Sequence, residues 1–475
     1  FGPATIVLTP TSWNTGVPLI VTGVDDDFID GDIVDNIRTG DVTSGDSFYD
    51  DLNGGDVVNL DVINEDDDVA GVSISAISGN TTEAGGTATF TVSLDSQPTF
   101  NVVIELSSSN PSEGTVPVSI IKRAANWNAN TQVTITGVDD DIVDGDVIYT
   151  IITGNVSSFD PNYNALGGGS IPNLQVTNED DDAVGINISP ISGNTNEAGG
   201  TATFTVSLDS QPTANVLIAL SSNDATEGTV PVSVTKTPGN WNANTTVTVT
   251  GVDDDIVDGD VIYTIVTGNI TSADPNYNAL VGGSIPNLQV TNEDDDTVGI
   301  TISPISGNTN EAGGTATFTV SLDSQPTANV VIALSSNDAS EGTVPVSVTK
   351  TPGNWNANTI VTVTGVDDNI VDGNVGYTIV TGNVTSGDAN YNALNSAAVA
   401  DITVTNTDND TAIITLADTA ENEDVASGEL LFDVTLDIAV DGGFTVGYTF
   451  ANGTAIGGGI DFTAIPGDLT FDGDA

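Results

Sequence analysis

Apolar and polar residues alternate with period two along most of this chain, in runs of four to nine residues broken by turn formers. Thr201–Leu208 is typical: Ala, Phe, Val and Leu fall on one face and hydroxyls on the other, the pattern of a half-buried strand. Between residues 183 and 296 the alternation predicts seven strands, at Val184–Ser189, Gly200–Leu208, Asn215–Ser221, Thr229–Thr235, Thr245–Gly251, Val261–Gly268 and Ile285–Thr291. Turn signals such as Asp209-Ser210-Gln211-Pro212 and Pro238-Gly239-Asn240 separate them. No stretch carries helical periodicity. Seven short antiparallel strands in about a hundred residues predict an all-β, immunoglobulin-like sandwich. Trp241 is expected to plug the bottom or edge of its core.

The pattern repeats without insertion. Glu-Ala-Gly-Gly-Thr-Ala-Thr-Phe begins at Glu83, Glu197 and Glu311, 114 residues apart. Trp13, Trp127, Trp241 and Trp355 keep that step, as do Asn64, Asn178, Asn292 and Asn406. Residues 69–182, 183–296 and 297–410 read as complete units, 1–68 as the C-terminal half of one and 411–475 as the N-terminal half of a divergent one. So long a period suits whole domains strung as beads in an extended rod better than the coils of a solenoid. No Gly/Ser or Pro-rich linker intervenes: only an acidic cluster separates one unit's last strand from the next unit's first. Phe1 already lies within the pattern, so the chain is expected to be a segment of a longer polypeptide.

Charge changes the picture. Against 67 Asp and Glu stand five Lys and Arg and no His, a formal charge of −62. Nothing in such a chain would neutralise phosphates, which disfavours nucleic acid and anionic membranes as partners. There is no Cys to staple the fold and no apolar run long enough for a membrane helix. An acidic chain poor in Lys and Arg suggests an extracellular, cell-surface location.

The acids are not scattered. Val252-Asp253-Asp254-Asp255-Ile256-Val257-Asp258-Gly259-Asp260 follows one predicted strand, and Asn292-Glu293-Asp294-Asp295-Asp296 ends another. Carboxylates crowded at strand ends repel unless a cation sits among them. In a sandwich, the loop after the fifth strand, the end of the seventh and the loop before the second can share one pole. That pole would gather Glu197, Asp253, Asp254, Asp258 and Asp294 to Asp296. Calcium accepts six to eight oxygen ligands in irregular geometry and fits such a set. Neither the spacing of an EF-hand nor the nonapeptide of β-roll proteins is present.

These motifs, together with Asn196-Glu197-Ala198-Gly199-Gly200-Thr201, resemble the Calx-beta domain, the calcium-binding sandwich of sodium–calcium exchangers, integrin β4 and many bacterial surface proteins. In the last half-unit Asn452-Gly453-Thr454-Ala455 and Gly459-Ile460-Asp461-Phe462 resemble the family's central signature. The resemblance implies calcium ligands at Glu197, Asp253, Asp254, the carbonyl of Ile256, Asp258, Asp294, Asp295 and Asp296. One period earlier it implies Glu83, Asp139, Asp140, Ile142, Asp144, Asp180, Asp181 and Asp182. One period later it implies Glu311, Asp367, Asp368, Ile370, Asp372, Asp408 and Asp410, and in the first half-unit Asp25, Asp26, Asp30, Asp66, Asp67 and Asp68. There are departures. The units read Glu227-Gly228-Thr229-Val230-Pro231 where the family has a different signature with a later Asp, and Val261 occupies the place of a late acid. Asn369, Asn374 and Asn409 replace Asp in the third unit, which predicts a weaker site there.

Lys122, Lys236 and Lys350 also keep the period; the first half-unit has Leu8 instead. They are expected to be exposed and to moderate local charge, with an isopeptide crosslink to Asn or Asp as the alternative. Without His or Cys, and with any acid pair copied in each bead, an enzyme is not expected. The leading expectation is a calcium-stiffened stalk or filament, the shaft of an adhesin or surface fibre, whose partners are calcium, neighbouring repeats or copies of itself. The alternative is a ligand- or glycan-binding adhesion module. It needs a unit-specific aromatic surface, and the full units read as too alike to offer one. Phe444, Tyr448 and Phe450 in the last half-unit are the divergent candidates.

Overall fold

A computed structural model describes residues 5–281, 283–420, 430–451, 454, 463 and 465–473. The middle repeat typifies the fold. Its strands are β1 Ile186–Ile188, β2 Thr195–Asn196, β3 Thr201–Leu208, β4 Val216–Ser222, β5 Gly228–Thr229, β6 Ser233–Lys236, β7 Thr245–Gly251, β8 Val261–Ser272 and β9 Leu288–Glu293. One sheet runs β1-β3-β7-β5 and the other β2-β9-β8-β4-β6. The inward faces of β3, β4, β7, β8 and β9 meet in a core that includes Phe204, Val206, Ile218, Val249, Ile265 and Val290. Burying each such side chain contributes about 1.5–3 kcal/mol. Equivalent cores form around Phe90 and Phe318. The all-β class follows from the alternation, and Trp241 packs half-buried against the core edge.

The expected strand Thr229–Thr235 divides at Pro231, which has no N–H to donate. Its first part, β5, pairs with β7, and its second, β6, pairs with β4, so the chain crosses between sheets. The strand expected at Val261–Gly268 runs on to Ser272 through a bulge opposite Ile218 and Leu220. One pair departs from an all-antiparallel arrangement: β2 lies parallel to β9, with Thr195 opposite Asn292. A single helical turn α1, Pro275–Asn278, is capped by the Asp274 side chain and buries Tyr277. The Tyr277 hydroxyl donates to the Ser210 carbonyl at 2.7 Å.

The periodic lysines are not exposed. Lys122, Lys236 and Lys350 have no accessible surface. Lys122 Nζ donates to Ala129 O at 2.5 Å, Thr131 Oγ1 at 2.9 Å and Val92 O at 3.3 Å, tying one sheet to the other. Lys236 bonds Ala243 O and Thr245 Oγ1, and Lys350 bonds Ala357 O and Thr359 Oγ1. An ammonium survives burial when its three hydrogens find acceptors; burial still lowers its pKa. These bonds lead to carbonyls and a hydroxyl, not to the Asn or Asp that an isopeptide would need.

Flanking the three cores, Ile33–Ile37 pairs with Leu60–Asn64, Ile414–Leu416 with Val434–Leu436, and Phe444–Tyr448 with Gly467–Phe471. Phe444 stacks on Phe471 at 5.0 Å, and Tyr448 meets Phe450 edge-on at 5.9 Å. Of the signature expected in this last stretch, only Thr454 lies within the described residues.

Candidate metal centre

The acidic loop begins where β7 ends. Gly251 has to be glycine: a Cβ there would lie 2.2 Å from Asn196 O and 2.6 Å from Asn292 Oδ1. The loop then folds on itself, with Asp254 Oδ1 accepting from Ile256 N at 2.7 Å. Gly259 adopts φ +81°, open to glycine at little steric cost, and its N–H donates to Asp294 Oδ2 at 2.7 Å. The other oxygen of Asp294 accepts from Asp296 N at 2.9 Å. The loop is thereby laced to the end of β9. The lacing recurs as Gly31 to Asp66, Gly145 to Asp180 and Gly373 to Asp408, at 2.6, 2.7 and 2.8 Å. The parallel β2–β9 pair brings in Glu197, whose N–H donates to Glu293 O at 3.1 Å.

Carboxylate oxygens converge at these poles. Glu197, Asp294 and Asp296 bring oxygens within 4.8 Å of one another, as do Glu83, Asp180 and Asp182, and Glu311, Asp408 and Asp410. Glu197 is only 2% exposed. Burial, then the charges of Asp294, Asp254 and Asp258, push its carboxyl up to about 7. Burial and the charges of Asp294 and Asp255 push Asp296 to about 6. Among the described residues, the buried side-chain oxygens without a hydrogen-bond partner belong to Glu83, Asp182, Glu197, Asp296, Asp372, Asn406 and Asp410, all at the acidic poles. Unpartnered buried oxygens of this kind, with no nitrogen or sulfur donor in the set, fit a hard cation such as calcium.

Not every expected ligand enters these trios. The loop acids Asp140, Asp144, Asp254 and Asp258 join a different glutamate: Glu113 or Glu227 lies with them, again within 4.8 Å. Glu113, Glu227 and Glu341 are not legible as site residues in the sequence, because a lone Glu before a Gly-Thr pair looks like any solvated loop acid. The one signal is its fixed 114-residue step. Asp181 and Asp295 are exposed and contribute a backbone N–H to Glu83 and Glu197. Asp139 and Asp253 are exposed and act on Asp182 and Asp296 through their charge, as do the unforeseen Asp141 and Asp255. For Ile142, Ile256 and Ile370 the bond seen is from the N–H, to Asp140, Asp254 and Asp368. Asp367 reaches the third pole as a charge raising Asp410, whereas Asp372 keeps a buried unpartnered oxygen. In the first stretch Asp26 closes the same turn onto Phe28 N, and burial, then Asp66, Asp27, Asp67 and Asp25, raise Asp68. Asp30 stays exposed beside Gly31, whose N–H anchors Asp66. At the third pole, Asn374 still accepts from Asp408 N at 3.2 Å, and Asn409 N donates to Glu311 Oε2 at 3.0 Å. The two Asn keep the geometry while removing charge.

A β-sandwich repeated in tandem, with carboxylate cages at the strand ends, defines a class of modular metal-binding protein. The Calx-beta domain profile matches residues 179–294, 292–408 and 407–475, more than half of the chain, and the chain belongs to that family. It is a tandem-domain protein of the calcium-binding Calx-beta type, built on a sandwich that is not an enzymatic fold. No curated protein matches it. Among solved structures it is similar to CBD12 from CALX1.2, at 13% identity over 42% of this chain and 79% of that one, with a TM-score of 0.21. The calcium binding domain CBD12 of CALX1.1 gives 14% identity, 43% and 82% coverage and a TM-score of 0.23. Domains 4 and 5 of the S-layer protein SbsC give 14%, 40% and 75%, and 0.18.

Proposed function

We propose that this chain is a calcium-stiffened extracellular stalk, the shaft of a surface fibre or adhesin, whose joints are set by ions at the acidic poles. One observation carries the reading: the loop whose carboxylates converge at the pole is also the surface on which the next bead sits. Asp255 O accepts from Gln325 N at 2.5 Å, and Val257 O accepts from Asn390 Nδ2 at 2.7 Å. Between those carbonyls lies Ile256, and around them Asp254 and Asp258. The previous joint repeats this with Asp141 and Val143 held by Gln211 and Asn276, at 2.5 and 2.6 Å. The joint before it uses Asp27 and Ile29, held by Gln97 and Asn162 at 2.7 and 3.5 Å.

A cation drawing the loop's carboxylates together fixes the loop's backbone, and with it the carbonyls offered to the neighbour. Docking then loses less conformational freedom, so ion binding and joint formation favour each other. An extracellular setting accords with the high negative charge and the scarcity of Lys and Arg. Sites with Kd of roughly 10⁻⁴ to 10⁻³ M serve outside cells, where calcium is abundant. The partners are calcium, the neighbouring repeats and, in a fibre, further copies of the chain. No described helix is long and apolar enough to cross a membrane. Small-angle scattering tests the stalk: the maximum dimension should be sharply defined in millimolar calcium and spread on adding chelator. An unchanged distribution would remove the stiffening role.

A second reading, an adhesion module, gains one specific observation. Phe100 and Phe159 are 54% and 88% exposed, and their rings meet edge-on at 6.0 Å. The sister units have Ala214 and Ala273, and Ala328 and Gly387, at these places, so the beads are less alike than their motifs suggest. Exposed aromatic rings suit the apolar face of a sugar. On a glycan array, binding that disappears in the F100A/F159A chain would favour this reading; no binding by the parent chain would dismiss it.

A further inference from the structure

The second set of carboxylates at each pole contains a glutamate that the family resemblance does not assign. Glu227 follows β4 and opens β5; it is 6% exposed, and its carbonyl accepts from Val252 N at 3.0 Å. Its carboxylate lies with those of Asp254 and Asp258 and shares no residue with the Glu197, Asp294 and Asp296 set. Against Glu227 stands Asn292, buried at 1% exposure. Its Nδ2 donates to Val252 O at 3.0 Å and to Glu227 Oε2 at 3.4 Å, and its Oδ1 accepts from Thr195 Oγ1 at 3.0 Å. Thr195 in turn meets the Tyr263 hydroxyl at 3.1 Å. The amide bond to glutamate recurs from Asn178 to Glu113 and from Asn406 to Glu341, each at 3.4 Å; Asn178 Oδ1 also accepts from Thr81 Oγ1 at 2.9 Å, whereas Asn406 Oδ1 has no partner.

This geometry is costly unless it is used. A glutamate side chain has rotatable bonds enough to swing its charge toward water, yet three units hold theirs inside, facing two aspartates, against a single neutral amide at long range. A second, independent sign comes from the third unit. There Asp372, the counterpart of Asp258, has a buried Oδ1 with no partner. Nearby Glu341 is 5% exposed. An all-oxygen set with spare acceptors suits a hard divalent ion.

We infer that each full pole has two calcium positions and that Glu113, Glu227 and Glu341 are buried ligands of the second. The inference rests on the calcium reading above, and the experiment separates the two. In the full chain, Glu113→Gln, Glu227→Gln and Glu341→Gln are made together. Bound calcium is counted by equilibrium dialysis with radioactive calcium, and melting is followed with and without the ion. The variant should bind three fewer ions per chain, and the remaining sites should keep their affinity within about threefold. Metal-free melting should stay equal or rise, because three buried acids become neutral. An unchanged ion count and unchanged calcium-induced melting shift would overturn the inference while leaving the calcium reading intact. A parent chain that binds no calcium would overturn both. A purely structural glutamate would alter metal-free melting and leave the count alone.

Discussion

At the scale of single residues, the chain keeps its acids in places where charge is unwelcome. Burial comes first and neighbouring aspartates second in raising Glu83 and Glu197 to about 7 and Asp182 and Asp296 to about 6. A carboxyl whose pKa is higher folded than unfolded binds more protons in the folded state. Its stabilising contribution is complete below the unfolded value, near 4, and is lost as pH climbs through 6 to 7. The metal-free chain should therefore melt at a higher temperature at pH 5 than at pH 8, by scanning calorimetry in chelator. Calcium competes with those protons, so its stabilising effect should be larger at pH 8. A metal-free midpoint that rises with pH would contradict the burial of these acids. The lysines show the opposite device. Their burial could not be read from spacing, because a lysine is usually exposed, and only the fold supplies the carbonyls of Ala129 and Val92 to the Lys122 ammonium.

At the scale of elements, alternation predicted nearly every strand but not which sheet each one joins. Thr229–Thr235 read as one strand because its hydroxyl–valine alternation continues through Pro231; the crossing appears only when β4 and β7 compete for its two halves. The two-residue strand β2 is too short to leave a pattern, yet it places Glu197 beside the end of β9. The close packing of that pole makes a sharp prediction. A methyl at Gly251 would strike the backbone oxygen of Asn196, whereas at Gly239 the nearest atom would be 4.0 Å away. Gly251→Ala should cost its unit about 2 kcal/mol or more and weaken calcium binding there. Gly239→Ala should change stability by about 0.5 kcal/mol or less. Denaturant unfolding and calcium titration of both variants would decide; equal midpoints would mean that the pole gives way easily.

At the scale of the whole molecule, the joints are where the units differ. Three of them use the Gln and Asn hook onto the acidic loop. Past the third unit, Ile370–Val371 instead pairs in parallel with Ala439–Val440, and Asp441 N donates to Val371 O at 3.0 Å. That joint adjoins the pole carrying Asn369, Asn374 and Asn409, so backbone pairing accompanies the loss of charge. By itself, the sequence determined the repeat, the sandwich class and the two acidic runs, since periodicity and charge are local properties written in residue order. Tertiary structure alone decided which carboxylates face one another, that Glu227 joins Asp254 and Asp258, and that one bead's loop is the next bead's seat. Those relations depend on distances between residues 27 to 133 positions apart, and such distances exist only once the sheets have closed around their cores.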